Sequence, residues 1–393
     1  MKYKPLSFDV NLKPGFVCDL NSLYAALAQL KDKRDARGLR YRLVTILLFI
    51  VLAKLCGEDH LRGIAQWVNL RKEALAEALK LAKPQAPHAT TYSRVLSEAV
   101  EIEQFEQVVS QFFKAPPKAG RSVQIALDGK TLRATIPAGG TKGLHLLAAY
   151  LPQEGWVLLQ VDARGGELPA AMRIVPHMNL RGKTVTGDAL FAQRHLSTWV
   201  VELGGEYIWT VKDNQSQLQQ DIATLFTPQP CAPGFSQGQT DFRTTLKWNK
   251  GHGRMECRTL SASSMLKGFA NWPYAEQVFR LERYCKRVGD GKTTTEVRYG
   301  VTSLAASEAS PECLLQRVRD HWQIENGLHY RRDDTLHEDR CRLKGQGAHA
   351  MAVINNLVLG LLRRRAITDV PTARRYYAAR IDDAVALVLQ APV

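Results

Sequence analysis

The chain has 393 residues, of which 45% are hydrophobic and 23% are charged. This composition excludes a disordered chain, a collagen-like fibre and a disulfide miniprotein. At roughly 150 residues per domain, the length predicts two or three domains with separate cores. The 53 basic residues exceed the 38 acidic residues and give a formal net charge of +15. Such an excess favours a polyanionic partner, although it could also serve solubility.

The compartment is predicted from three features of the sequence. Residues 1–16 include lysines but lack the apolar segment of a secretory signal. The most apolar run, 43–53, is shorter than the ~20 residues of a membrane-spanning helix and predicts a buried helix. The seven cysteines include no Cys-x-x-Cys pair, which is typical of reduced thiols rather than disulfides or a zinc site. We therefore expect a cytoplasmic protein.

The first part of the chain is predicted to be helical. Apolar residues recur there at spacings of three and four, without strand-like alternation, in 23–30, 43–55, 64–70 and 74–81. Pro116, Pro117 and Gly120 then predict a linker over 115–121.

After the linker the hydrophobic period changes to two, which predicts strands. The predicted strands are 123–127, 144–151, 156–162, 184–187 and 207–211. Short helices are predicted near 170–174 and 193–203. This order of elements predicts a mixed sheet with helices packed on it.

The pattern is weaker between 216 and 304, where segments such as 243–248 and 293–301 favour β structure. Ser310 and Pro311 then predict the start of a helix, as its cap and its first-turn residue. A last helix is predicted over 348–365, with apolar residues along one side.

Glu325 is the most informative acidic residue, because it lies on the helix predicted to begin at Ser310. At about 100° per residue, Glu325 falls in the same stripe as Leu314 and Val318, which should face the sheet. A buried, unpaired carboxylate is costly, so a cation is expected beside it. That cation could be a metal ion or a core arginine in a structural salt bridge.

Two aspartates are predicted to lie where strands end. Asp128 follows the first predicted strand and Asp188 follows the fourth. Ends of strands in open sheets are common ligand sites. Each has an alternative, since Asp128-Gly129 is a common hairpin turn pair and Asp188 could cap the next helix.

The three acids together predict more than each does alone, because two strand ends and a late helix can meet at one point. Carboxylate oxygens without cysteine or clustered histidine favour Mg²⁺ or Mn²⁺ over zinc. Two such ions ~3.5–4 Å apart can activate a water or a 3′-hydroxyl for attack on a phosphodiester.

Six short motifs follow one another along the chain: LDGKTLR (127–133), VTGDAL (185–190), KDNQ (212–215), HGRME (252–256), HWQIEN (321–326) and HED (337–339). They resemble, in order, those of the ISAs-type insertion-sequence transposases. These are DDE enzymes, and some are known as H-repeat-associated proteins. The segment DARGLRY (35–41) is similar to their helical domain before the catalytic core. The resemblance runs from about residue 20 to 365.

The resemblance implies an α/β fold, with an RNase H-like mixed sheet, flanking helices, a β-rich insertion and an all-helical N-terminal domain. It implies that Asp128, Asp188 and Glu325 are catalytic and bind two Mg²⁺ or Mn²⁺ ions. The domains expected on this basis are a helical DNA-binding domain (1–114), a first part of the catalytic core (121–215), a β-rich insertion (216–304), a second part of the core with the glutamate helix (305–366) and a C-terminal tail (367–393).

The implied function is that of a DNA transposase, which cleaves at transposon ends and transfers strands. Its partner is double-stranded DNA, both terminal repeats and target, and a homodimer is expected on paired ends. Two alternatives remain at this point: a domesticated protein that binds DNA without cleaving it, and a metal-dependent DNA nuclease that cannot join strands.

Basic and polar residues around the three acids are predicted to contact the DNA. They are Lys130, Arg133, Lys212, Asn214, Gln215, His252, Arg254, Arg258, Arg319, His321, Asn326, His329 and Arg332. Glu167 follows Gly165 and Gly166 and is either a further carboxylate near the metal ions or, more simply, an exposed loop residue.

Overall fold

The structure is a computed structural model that describes residues 19–35, 37, 39–113, 123–227, 240–251 and 253–390. The predicted linker over 115–121 lies outside these residues. Two compact units are present. The first contains the described residues of Met1–Lys114, Leu132–Leu144 and Tyr330–Val393, and the second contains those of Ala115–Thr131 and His145–His329.

The described helices are α1 (Leu23–Leu27), α2 (Leu43–Leu55), α3 (Leu61–Leu70), α4 (Lys72–Ala78), α5 (Ala89–Arg94), α6 (Ile102–Phe113), α7 (Glu167–Ile174), α8 (Arg194–Glu202), α9 (Ser216–Leu225), α10 (Pro311–His321), α11 (Gly345–Arg364), α12 (Val370–Ala379) and α13 (Ile381–Leu389). The described strands are β1 (Val123–Leu132), β2 (Leu144–Leu151), β3 (Trp156–Asp162), β4 (Lys183–Gly187), β5 (Glu206–Val211), β6 (Arg243–Gly251), β7 (Arg254–Ser263), β8 (Gln277–Arg287) and β9 (Thr293–Thr302).

The first unit is helical, as its sequence periodicity predicts. Every residue of α2 is buried, including Lys54, so the prediction of a buried helix is confirmed. Helix α11 contacts both α2 and α6, and the run from Gly347 to Leu362 within it is buried. Among the described residues, no helix is both long and apolar enough to cross a bilayer.

The strands of the described residues form one nine-stranded sheet in the order β3-β2-β1-β4-β5-β9-β8-β7-β6. Strands β1, β4 and β5 are parallel neighbours, whereas β5 and β9 pair antiparallel. The long strands β6 to β9 therefore extend the sheet that begins with β1 to β5. The predicted mixed sheet is confirmed. The sequence pattern did not identify β7, β8 or helix α9.

Helices cover both faces of this sheet. Residues of α7, α8 and α9 join one apolar cluster with Trp209 of β5 and Val185 of β4. Helix α10 contributes Leu314 and Leu315 to a second cluster with Ile208 of β5. This alternation of burial along β5 gives three layers, helix, sheet and helix.

The register of β1 and β4 places two acidic residues side by side. These strands pair in parallel from Val123 with Lys183 to Ala126 with Thr186. Asp128 and Asp188 each lie two residues beyond the last pair. Parallel strands end at the same edge of a sheet, so both aspartates lie at this edge.

Candidate active site

Asp128 and Asp188 occupy different local structures at this edge. Strand β1 continues through Asp128 to Leu132, so the expectation that the strand ends at Asp128 is wrong, and a tight Asp-Gly turn is excluded. Asp188 directly follows β4 and caps the 3₁₀ turn Ala189–Phe191, because the backbone N–H of Leu190 donates to its Oδ1 at 2.9 Å. That bond leaves Oδ2 of Asp188 available for a ligand.

Glu325 lies at this edge but is exposed to solvent, so the prediction that it faces the sheet is wrong. Helix α10 ends at His321, and Ile324–His329 forms a π-helical segment. A π-turn advances by a smaller angle per residue than an α-turn. The buried side therefore shifts to Ile324 and Leu328, and no core arginine is needed to compensate the carboxylate.

The pKa of Asp128 depends on the other acidic residues at this edge. The pKa of Asp128 is raised to about 7, first by burial and then by the charges of Glu325, Glu167 and Asp188. A backbone hydrogen bond from Gly129 acts in the opposite direction. Four carboxyl groups thus interact at one edge of the sheet.

Two histidines, one at the end of α10 and one in the segment that carries Glu325, contact the strands. His329 is buried, and its Nε2 lies 3.6 Å from Oδ2 of Asp128. His321 is also buried, and its Nδ1 lies 3.1 Å from the hydroxyl of Thr186 on β4. Burial lowers the pKa of His321 to about 4, although the charge of Asp188 opposes this shift. His321 is therefore neutral at physiological pH and acts as a hydrogen-bonding group.

A buried glutamine completes this connection. The side-chain amide of Gln124 on β1 donates to the Thr186 hydroxyl at 3.1 Å and to the carbonyl of Arg317 on α10 at 2.8 Å. Because Thr186 precedes Asp188 by two residues, the same polar network holds β1, β4 and α10 together. It thereby supports the strands that carry Asp128 and Asp188 and the helix that precedes the segment with Glu325.

The donor set fits a hard divalent cation. Carboxylate oxygens are the ligands that Mg²⁺ and Mn²⁺ prefer, and such an ion would compensate the charge that raises the pKa of Asp128. Within the described residues, no three His, Cys, Asp or Glu side chains are already arranged to hold one ion. Mutual repulsion separates carboxylates, so shared coordination requires rotation of side chains such as the exposed Asp188 and Glu325.

The residues predicted to contact DNA differ in how far their side chains are exposed to solvent. Lys212, Arg254 and Asn326 are exposed, and Arg319 and Arg258 are half-buried. Arg133 is exposed in the first unit, 3.8 Å from Asp339. His252 lies outside the described residues. The structure does not support DNA contacts by four side chains because they are buried, and these assignments are corrected: Lys130, His321, His329 and Arg332.

Arg332 is the most deeply buried of these four side chains. Its side chain has no exposed surface, and Nε and Nη2 lie 2.8 to 3.0 Å from the carboxylate of Glu338. Asn355 donates to the same carboxylate at 2.7 Å. This guanidinium is therefore part of the core of the first unit and not a DNA contact.

Two polar residues predicted to contact DNA have structural bonds instead. The side-chain amide of Asn214 donates to the carbonyl of Ala189 at 2.6 Å, and that of Gln215 donates to the carbonyl of Ala192 at 3.0 Å. These bonds hold the segment after β5 against the segment after Asp188. They keep the exposed Lys212 next to the acidic edge.

The comparison with known families identifies this chain. Residues 119–361 match the family model described as transposase DDE domain, and residues 24–113 match the one described as DDE_Tnp_1-associated. The first match covers more than half of the sequence. The chain belongs to the transposase DDE family. The resemblance read from the six motifs is confirmed, as is the RNase H-like fold of this transposase-type protein.

Known proteins resemble this DDE transposase over most of its length. The "H repeat-associated putative transposase YhhI" of Escherichia coli K12 is 22% identical over 93% of this chain and 96% of its own. The "Putative transposase YncI" of Escherichia coli O157:H7 is 25% identical over 88% of both chains. An uncharacterized protein from the dhlA 3′ region of Xanthobacter autotrophicus is 30% identical over 68% of this chain and 88% of its own.

Proposed function

We propose that this DDE transposase cleaves DNA at the ends of its own element and joins the freed strand to a target. The observation that carries the proposal is the convergence of Asp128, Asp188 and Glu325 at one edge of the sheet, where the last two raise the pKa of the first. A set of acidic groups that raise one another's pKa is typical of a site for divalent metal ions.

Asp128, Asp188 and Glu325 would hold the metal ions. Mg²⁺ ions held there would supply activation of an oxygen nucleophile and stabilisation of the leaving oxygen of the phosphodiester. In this assignment the three carboxylates act as ligands and not as proton carriers. His321 contributes by position, because its neutral ring binds Thr186 and keeps the end of α10 against β4.

Double-stranded DNA is the proposed partner. Lys212 is exposed directly after β5, beside the acidic edge. Farther along the sheet, Arg254, Arg258 and Arg283 surround the single carboxylate of Glu256, so this surface keeps a positive excess. Positive side chains beside the carboxylates suit DNA, because they can contact its anionic phosphates while the carboxylates bind the metal ions. A homodimer on paired ends is proposed from the reaction, which acts on two ends together.

The test is cleavage of a DNA fragment that carries the flanking repeats of the element, with Mg²⁺, by the full chain. We expect nicked and joined products, and a loss of more than about 100-fold for Glu325→Gln, because removing a ligand should exceed the 10 to 100-fold effect of an outer-shell change. DNA binding by this variant should persist.

The matched control is Glu202→Gln, an exposed glutamate at the end of α8, which should retain full activity. Pre-cut ends distinguish a transposase from a nuclease, since a nuclease yields no joined product. A chain that binds DNA but never nicks it, even with Mn²⁺, would contradict the proposal.

A further inference from the structure

A fourth carboxylate, that of Glu167, lies beside Asp128. Glu167 is the first residue of α7, which follows β3. Its Oε1 lies 2.8 Å from Nε2 of His145 on β2. The other ring nitrogen of His145 lies 2.8 Å from the hydroxyl of Thr131 on β1. A chain of polar contacts therefore runs from β1 through β2 to Glu167.

This chain of contacts fixes the direction of the Glu167 side chain. Nε2 of His145 donates to the carboxylate, and Nδ1 shares a hydrogen bond with the Thr131 hydroxyl. Both ring nitrogens are then satisfied, and the ring orientation is set from both sides. Only about 20% of the Glu167 side chain is exposed, and 25% of the His145 side chain, so the expectation of an exposed loop residue is wrong.

The carboxylate of Glu167 rests on the backbone next to Asp128. A Cβ added to Gly129 would lie 2.1 Å from Oε1 of Glu167, which is an overlap. Gly129 thus provides the space that the carboxylate occupies. The charge of Glu167 also acts on Asp128, after burial and the charge of Glu325.

We propose that Glu167 is a fourth acidic residue of the divalent-metal centre, and that His145 and Thr131 are positioning residues that aim its carboxylate at the Asp128 side of this centre. The inference rests on the proposed function, because it assumes metal ions at Asp128, Asp188 and Glu325. It extends that function by a side chain that the DDE triad does not include.

A structural salt bridge is the competing explanation for the contact between Glu167 and His145. The two explanations differ for Glu167→Gln, whose side chain has the same shape and can still bond to His145 but has no charge. If Glu167 served only to bind His145, this variant would keep both its stability and its affinity for metal. A metal-centre role predicts lower affinity for metal with little change in stability.

The experiment measures binding of Mn²⁺ alone to the full chain, from the loss of the free-ion signal in electron paramagnetic resonance, without DNA. We expect Glu167→Gln to weaken Mn²⁺ binding by about tenfold or more. The control, Glu202→Gln, carries the same chemical change and should bind like the parent chain. His145→Ala should weaken binding in the same direction, and His145→Gln, which keeps a donor for Glu167, should recover part of it.

Each outcome has one interpretation. If Asp188→Asn loses Mn²⁺ binding while Glu167→Gln keeps it, the inference about Glu167 is wrong and the proposed function stands. If the parent chain does not bind Mn²⁺, or Asp188→Asn binds it unchanged, the proposed metal centre itself fails. If Glu167→Gln weakens binding but His145→Ala does not, the positioning role of His145 is wrong.

Discussion

Nε2 of His329 lies 3.6 Å from Oδ2 of Asp128, and this contact joins the segment that carries Glu325 to strand β1. His329 lies four residues after Glu325, in the same π-helical segment. The buried imidazole therefore anchors the base of that segment, while the exposed carboxylate of Glu325 remains free to turn toward a bound ion.

Removal of this anchor should loosen the metal centre. We expect His329→Ala to lower the rate of DNA cleavage by about 10 to 100-fold, the effect typical of residues that orient ligands, and to raise the Mg²⁺ concentration required for half-maximal rate. A titration of cleavage against Mg²⁺ measures both. His195→Ala on the exposed face of α8 is the control. An unchanged Mg²⁺ requirement for His329→Ala would contradict the anchoring role.

The raised pKa of Asp128 predicts a pH dependence of stability in metal-free protein. The pKa of Asp128 is about 7 in the folded state, well above the unfolded value of ~3.9. Between about pH 3.9 and about pH 7, Asp128 is therefore protonated in the folded chain and ionised in the unfolded chain. The contribution of protonated Asp128 to the free energy of unfolding is therefore lost as the pH rises toward 7. Asp128→Asn removes this loss, and its stability advantage over the parent should grow by about 2 kcal/mol from pH 5 to pH 8.

Denaturant unfolding with a chelator present, at both pH values, measures this difference. Asp221→Asn on α9 is the control, because it makes the same chemical change on a different element. An advantage of Asp128→Asn that shrinks as the pH rises would show that the folded state favours the charged form of Asp128.

The sequence predicted the two aspartates better than the glutamate. Period-two alternation gave the strands that carry Asp128 and Asp188, and parallel strands bring such positions to one edge. Glu325 was misplaced because a fixed helical angle was carried through His321, where the α-helix ends. Nothing in the residue pattern marks the π-helical segment, since it depends on how Ile324 and Leu328 pack.

For Glu167, the sequence left two interpretations open, for a different reason. Its partner His145 is on another strand, and only the order of β3, β2 and β1 in the sheet brings the two side chains together. The one local signal was Gly129, a residue without a side chain beside an expected ligand. In the same way, the burial of Arg332 follows from its partner Glu338 and not from its spacing to Glu325.

Lys212 is exposed and Arg332 is buried, so we expect their replacement to affect DNA binding and stability, respectively. Lys212→Ala should weaken DNA binding and reduce the slope of log affinity against log salt concentration by about 1, as expected for one lost phosphate contact. Arg332→Ala should instead lower the free energy of unfolding by about 3 to 5 kcal/mol, because it leaves Glu338 buried without its cation. Binding titrations at several salt concentrations and denaturant unfolding measure these effects, and an unchanged salt slope for Lys212→Ala would exclude that contact.

In the first unit, Asp59 forms salt bridges with two buried cationic side chains, those of Lys54 and Arg374. Its carboxylate lies 3.2 Å from Nζ of Lys54 and 2.7 Å from Arg374, and burial lowers the pKa of Lys54. Asp59→Asn should reduce the free energy of unfolding by about 3 to 5 kcal/mol, because two buried cations lose their anion. Denaturant unfolding measures the loss, with the exposed Asp382→Asn as control. Adding Lys54→Met should recover part of it, and a double variant no more stable than Asp59→Asn would contradict this explanation.

Gly129→Ala tests the position of Glu167 without changing any charge. The added methyl group would overlap Oε1 of Glu167, so the carboxylate must move away from Asp128. Since the direction of that carboxylate is what the metal centre requires, Mn²⁺ affinity should fall by about as much as in Glu167→Gln, roughly tenfold. Two changes that act through one side chain do not add. The double variant should therefore bind Mn²⁺ about as weakly as Glu167→Gln alone, whereas a further, multiplicative loss would mean that the methyl group disturbs Asp128 directly.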